Sequence, residues 1–359
     1  MSSIEPAGDA VDRQCMTRAI AAGARSRCLA PPNPWVGAVV RTPEGRTYEG
    51  STERVGGRHA EIVALDAAGA DAEGATLYVT LEPCSHHGRT PPCVDAVRSA
   101  GVRRVVVGIE DPDPQVAGSG VAALRAAGIV VDVGIQAAQV TNQLRPYLKH
   151  RRTGRPWVVL KLAASTDGRT AAPNGSSQWI TSPEARADGH RLRAESDAIL
   201  VGAGTVRRDD PSLTVRDHHD PMVPERGGLD PRRIVLGSAP LDAAVHPCTE
   251  VKGELADVLD QLGEEGVVQL LVEGGARVAG EFHRAGLVDR YVVYLAPALF
   301  GGSDAPGLFG GHGAFDISEL WRGRFTSVER VGDDLRIELT PLDALPELEA
   351  GVRSVDGSV

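Results

Sequence analysis

The feature that most constrains the fold is an alternation of short apolar runs with stretches of helical spacing. In the first half, residues 35–40, 75–80, 104–109 and 129–133 read as strands, and 11–30, 59–68 and 121–127 as helices. In the second half, 158–163, 198–201, 233–236, 267–272 and 291–295 read as strands, with helices at 183–194, 254–262 and 276–285. Runs that are apolar throughout need cover on both faces, so the pattern predicts α/β units with helices on either side of a sheet. The 359 residues exceed the ~250–300 at which single cores usually divide, so two domains are expected. The basic, turn-forming stretch Lys149-His150-Arg151-Arg152-Thr153-Gly154-Arg155-Pro156 is the expected junction. The expected divisions are 1–150, 151–341 and a fraying tail at 342–359. Residues 209–232, polar and rich in Pro and Gly, read as a long surface loop.

Bulk properties exclude several classes. A net charge of −10 argues against a nucleic-acid surface, whose footprint is basic. No apolar run reaches the ~18 residues of a membrane span, and the polar N-terminus lacks a signal-peptide pattern, so a cytoplasmic protein without a membrane partner is expected. Five cysteines are sparse and odd in number for a disulfide framework. Cys15, Cys28 and Cys248 read as structural thiols, and His218-His219-Asp220 as part of a solvated loop.

The other two cysteines belong to a pattern that carries chemistry. His59-Ala60-Glu61 opens a predicted helix; Pro83-Cys84 follows a predicted strand, and Cys93 comes nine positions later. One imidazole and two thiolates form a ligand set suited to zinc, with the fourth position left to water. Zinc lowers the pKa of such a water toward neutrality. Glu61, two positions from His59, is placed to shuttle a proton and not to ligate the ion. This order of residues is the signature of the zinc nucleobase deaminases. A non-catalytic zinc-binding scaffold would not need Glu61 and would be expected to close the site with a fourth ligand.

In the second half, glycines at Gly202-Ala203-Gly204 and Gly274-Gly275 join strands to helices. Such turns let main chain approach a phosphate, although neither completes the Rossmann fingerprint.

Longer motifs narrow the reading. Deaminases of cytidine or transfer RNA usually space their two cysteines as Cys-x-x-Cys. Here the run is Pro83-Cys84-Ser85-His86-His87-Gly88-Arg89-Thr90-Pro91-Pro92-Cys93. Together with Asn33-Pro34-Trp35-Val36-Gly37 and Asp111-Pro112-Asp113-Pro114, it resembles the deaminase half of the bifunctional deaminase–reductases of riboflavin biosynthesis. The second half resembles the reductase half of that family. The motifs are Lys161 to Gly168, Ser177-Gln178-Trp179-Ile180-Thr181, the run from Ala198 to Arg216, and Leu271 to Phe282. A nucleoside or transfer-RNA deaminase with an unrelated C-terminal domain is the rival reading, disfavoured by the acidic balance and the long insert.

The resemblance implies a cytidine-deaminase-like three-layer α/β/α domain followed by a dihydrofolate-reductase-like α/β domain. It implies Zn2+ at one ion per chain, NADPH, a phosphoribosylated pyrimidine substrate and a homo-oligomer, dimer or tetramer, assembled through the reductase half. By that resemblance Asn33, His86, Arg89 and Asp111 face the pyrimidine and its ribose phosphate. Ala163, Trp179, Thr205, Asp209, Ser238 and the turn Gly275, Ala276, Arg277, Val278, Ala279, Gly280, Glu281 contact the cofactor. Ser177, Arg193, Leu213, Arg216 and Glu273 contact the substrate, and Lys161 is a further candidate for orienting the sugar. The sequence departs from the family pattern at Thr52, often His, at Asp113, usually Asn, and at Thr166, usually Leu.

Overall fold

The computed structural model describes residues 7–86, 91–113, 117–223 and 228–342. The chain divides into two compact units between Thr153 and Gly154. From 343 onward the tail lies outside the described residues.

The first unit begins with helix α1 (Ala7–Ala24), followed by strands β1 (Gly37–Arg41) and β2 (Thr47–Ser51). Next come α2 (Ala60–Ala68), β3 (Thr76–Leu81), α3 (Cys93–Ser99), β4 (Arg104–Ile109), α4 (Ser119–Ala126), β5 (Val130–Val133) and α5 (Ala137–Thr153). The sheet order is β2-β1-β3-β4-β5, antiparallel at β2-β1 and β1-β3, parallel at β3-β4 and β4-β5. Strands β3 and β4 are buried along most of their length, as strands covered on both faces must be. Helices α1 and α5 pack on one face and α2, α3 and α4 on the other, giving three layers.

Two glycines fix how closely the layers approach. A Cβ on Gly37 would lie 1.8 Å from the Ala19 carbonyl oxygen of α1, and one on Gly50 would lie 2.2 Å from the Ala60 oxygen of α2. Helix α1 ends at Ala24, short of the expected 30. There the hydrogen bonds tighten to the i+3 pattern, Ser26 N–H donating to the Gly23 carbonyl at 3.0 Å while the Ser26 hydroxyl donates to the same oxygen. The basic stretch read as turn-forming is helical as far as Thr153, because α5 extends through it.

The second unit contains β6 (Trp157–Ser165), α6 (Pro183–Ala194), β7 (Ala198–Gly202), α7 (Ala203–Asp209), β8 (Arg232–Leu236), β9 (Thr249–Val251), α8 (Leu255–Glu264) and β10 (Gln269–Val272). It continues through α9 (Ala276–Arg284), β11 (Arg290–Ala296), β12 (Gly323–Val331) and β13 (Asp334–Pro341). Eight strands run in the order β12-β13-β11-β6-β10-β7-β8-β9. The block from β11 to β9 is parallel, and β13 and β12 add an antiparallel edge. Two apolar clusters, one around Phe282 and Leu270 and one around Leu192 and Ile199, supply its core. Between 210 and 231 the described residues form no helix or strand.

Candidate active sites

In the first unit the candidate residues gather at the carboxyl ends of the parallel strands, where open α/β sheets place their ligands. His59 caps α2, Cys84 follows β3, Cys93 opens α3 and Asp111 follows β4. The ligand atoms of His59, Cys84 and Cys93 lie within 4.8 Å of one another, and among the described residues they are the single group of three that could hold a metal. His59 Nδ1 is 3.2 Å from Cys93 Sγ and 3.6 Å from Cys84 Sγ. One nitrogen and two sulfurs at this spacing fit a zinc ion. The Cys84 thiol lies well below its ordinary pKa, first through hydrogen bonding with Cys93 and then, against burial, with His59. A thiolate is the form that binds metal. Cys15, Cys28 and Cys248 are not part of this group, nor are His218, His219 and Asp220.

Glu61 sits in the first turn of α2 and is 3% exposed. Burial pushes its carboxyl upward, with His59 opposing. The group is therefore readier to hold a proton than an exposed glutamate.

A cavity of about 420 Å³ opens beside these residues, lined among others by Asn33, Thr52, His59, Glu61, Glu82, His86, Asp111, Tyr147 and Arg151. Asn33, His86 and Asp111 thus share one cavity with the metal-ligand group, while Arg89 lies outside the described residues. Three features of the wall were not read from sequence. The buried carboxylate of Glu82 accepts main-chain N–H bonds from Asp111 at 3.2 Å, Gly118 at 2.9 Å and Val121 at 3.0 Å. Tyr147, on α5, donates its hydroxyl to Asp111 at 3.2 Å. Arg151, one turn on, lies with its guanidinium carbon 5.1 Å from the Tyr147 ring centroid. Burial raises the Asp111 carboxyl above its ordinary range. Asp113 donates its main-chain N–H to Asp111 at 3.0 Å. The Thr52 hydroxyl accepts from the Val36 N–H at 3.1 Å and so serves the main chain.

In the second unit, β7 and β10 are adjacent and parallel, and each leads directly toward a helix, α7 and α9 respectively. The Gly275 N–H donates to Thr205 Oγ1 at 3.3 Å, tying the two helix starts together. Arg277 is exposed, whereas Val278, Ala279 and Gly280 face the core. Of the expected cofactor turn, it is the first residues that are accessible. Ala163 lies on β6, exposed Asp209 ends α7, and Ser238 follows β8. Trp179 is 67% exposed, with the Arg186 guanidinium 4.6 Å from its ring centroid.

Arg193 and Glu273 form a two-pronged pair, Nε to Oε1 at 2.8 Å and Nη2 to Oε2 at 2.9 Å, and Arg193 Nη1 also donates to the Thr214 carbonyl. Burial alone would raise the Glu273 carboxyl; Arg193, with Lys161 and His190 beyond it, outweighs this and holds it at about 2. Leu213 is buried in the left-handed region at φ 53°. Arg216 is exposed, and its main-chain N–H donates to His190 Nδ1 at 3.0 Å. Ser177 is half-buried in the segment before α6. Thr166 donates its hydroxyl to the Ala296 carbonyl at 2.6 Å, bracing the end of β6 against β11.

A three-layer unit with a His-Cys-Cys group beside a buried glutamate has the arrangement of a zinc-binding deaminase, and it is joined to a second, mainly parallel α/β unit. The family models agree. The cytidine and deoxycytidylate deaminase zinc-binding region matches residues 9–109, and the RibD C-terminal domain matches 156–337. The chain belongs to the RibD family of riboflavin biosynthesis proteins. It is 41% identical to the riboflavin biosynthesis protein RibD of Escherichia coli (strain K12), covering 91% of this chain and 99% of that one. It is 44% identical to RibD of Mycobacterium tuberculosis (strain H37Rv), covering 86% and 91%. The solved structure of Acinetobacter baumannii RibD superposes with a TM-score of 0.86 at 35% identity, covering 93% and 99%. A diaminohydroxyphosphoribosylaminopyrimidine deaminase/5-amino-6-(5-phosphoribosylamino)uracil reductase from Thermotoga maritima gives 0.81 at 32% identity, covering 93% and 99%.

Proposed function

We propose that this chain catalyses two consecutive steps of riboflavin biosynthesis. The first is hydrolytic deamination of 2,5-diamino-6-(5-phosphoribosylamino)pyrimidin-4(3H)-one to 5-amino-6-(5-phosphoribosylamino)uracil, the second reduction of the ribosyl chain to ribityl. The observation that carries the reading is the convergence of His59, Cys84 and Cys93 beside the buried carboxyl of Glu61.

His59, Cys84 and Cys93 would hold one zinc ion per chain, which supplies a Lewis acid that makes water nucleophilic near neutral pH. Glu61 takes one proton from the attacking water and passes it to the ring nitrogen; it then takes the proton of the newly attached hydroxyl and gives it to the amino group, which departs as ammonia as the carbonyl forms. Its buried setting favours the protonated form it must adopt between those transfers. Asp111 and Asn33 line the cavity where the pyrimidine would be oriented.

In the second unit, Ala163, Trp179, Thr205, Asp209, Ser238 and the turn from Gly275 to Glu281 would hold NADPH, which supplies the hydride. The main-chain N–H groups opening α9 are suited to a phosphate of that cofactor. Ser177, Arg193, Leu213, Arg216 and Glu273 would hold the sugar. Arg193 is already committed to Glu273, so exposed Arg216 is the freer cation for the substrate phosphate.

A cytoplasmic location belongs to the same reading, by analogy with the RibD relatives. Among the described residues no helix is long and apolar enough to cross a membrane. Assembly through the reductase unit is supported by edge strand β12, which exposes Phe325 and Val328. The test is incubation with the diaminopyrimidine, with and without NADPH, reading products by mass. Deaminated uracil alone is expected without NADPH, and the ribityl product carrying two added hydrogens with it. Unchanged substrate in both arms would reject the reading.

A further inference from the structure

The cavity of the first unit poses an electrostatic problem. Its described lining includes four carboxylic residues, Glu61, Glu82, Asp111 and Asp113, against a single arginine or lysine, Arg151. A phosphomonoester brings close to two negative charges, which such a wall would repel. Among the described lining residues, Arg151 has the properties of a counter-charge. It forms no ion pair among the described residues, and its buried Nε has no hydrogen-bond acceptor there. The guanidinium lies over the Tyr147 ring, and Tyr147 is itself held by Asp111, so the cation is steadied by the wall that orients the pyrimidine.

We propose that Arg151 binds the phosphate of the deaminase substrate, making α5 a phosphate-recognition element of that cavity. The inference rests on the deaminase reading above and deepens it. A guanidinium suits the role because its fork matches two phosphate oxygens, whereas a lysine offers a point charge.

The test compares deamination of the phosphorylated substrate and its dephosphorylated counterpart by zinc-loaded wild type, Arg151→Ala and Arg151→Lys. Arg151→Ala should raise KM for the phosphorylated substrate roughly 10-fold or more, with kcat little changed, the scale of losing a charge-assisted hydrogen bond. KM for the dephosphorylated substrate should not move, and Arg151→Lys should recover part of the loss. An unchanged KM for the phosphorylated substrate would overturn the proposal. So would an equal rise for both substrates, which would make Arg151 a packing partner of Tyr147. Calorimetric titration with ribose 5-phosphate decides the matter even if the chain deaminates neither compound. Wild type should then show a binding event that Arg151→Ala lacks, and identical titrations would reject the assignment.

Discussion

At the scale of single residues, the candidate metal-ligand group was legible because its chemistry needs particular residue types in a particular order. His59, Glu61, Cys84 and Cys93 announce themselves without a fold. Glu82, Tyr147 and Arg151 do not, since their partners are set by how the chain returns: Tyr147 meets Asp111 across 36 positions. Cys84→Ser and Cys93→Ser should each lose zinc, a weaker oxygen donor replacing a thiolate, while Cys248→Ser keeps it. Metal analysis of the purified variants reads this directly, and equal zinc in all of them would remove the ligand assignment. A second expectation concerns pH. Glu273 is held at about 2, below the ~4.3 of an unfolded glutamate, so its contribution is present above that value and fades as pH falls toward the folded one. Burial, with Arg193 and Arg216, lowers the His190 pKa, so below about 6.5 the unfolded chain takes up that proton first, which also disfavours the fold. The second unit should therefore lose stability progressively on acidification. Glu273→Gln should flatten the part of that loss below about 4.3, measured as Tm against pH. An unchanged acid limb in the variant would show that the pair contributes nothing to it.

At the scale of elements, apolar central strands were read well and polar edges poorly. Strand β2 and the hairpin of β12 and β13 escaped because polar residues interrupt them and leave no continuous apolar run. Helix α5 was hidden by Pro146 and the basic residues after it, which suggest a turn when read locally. Its apolar positions Val140, Leu144 and Leu148 are buried at helical spacing, and that tertiary packing carries the helix through. The close approach of α1 to β1 yields a sharper expectation. Gly37→Ala would force a methyl to 1.8 Å from the Ala19 oxygen, main chain that cannot swing aside. The first unit should lose about 1–3 kcal/mol or more, the range of overpacking. Thermal unfolding followed beside deaminase activity would show it, and a Tm equal to wild type would mean that the layers part easily.

At the scale of the whole molecule, each unit has its own sheet and its own candidate site, so the two activities should separate by mutation. Glu61→Gln should keep zinc and lose deamination by on the order of 10²-fold or more, the usual loss of a general acid–base. The same variant should still reduce the deaminated uracil with NADPH. Loss of both activities together would point to a shared site, or to a fold that depends on this carboxylate. Length and the change in composition near Lys149 lead to an expected boundary at 150, and the chain divides into compact units between Thr153 and Gly154. Which residues of the second unit would touch a cofactor was not visible from pattern alone, since glycine turns between strand and helix serve chain reversal as often as binding.

Among the described residues, the carboxylate of Glu82 holds the segment from Asp111 to Val121 through the main-chain N–H groups of Asp111, Gly118 and Val121. Such a clasp is blind to side-chain identity and sensitive to spacing. The clasp itself asks for no particular side chain along the segment, whose letters answer to other demands, as at Asp111. Two positions are held more tightly: Gly118, at φ 77°, and Gly120, where a Cβ would fall 2.0 Å from the Pro83 oxygen. Its length is not free at all, for one inserted or deleted residue would put a different set of amides before the same two oxygens.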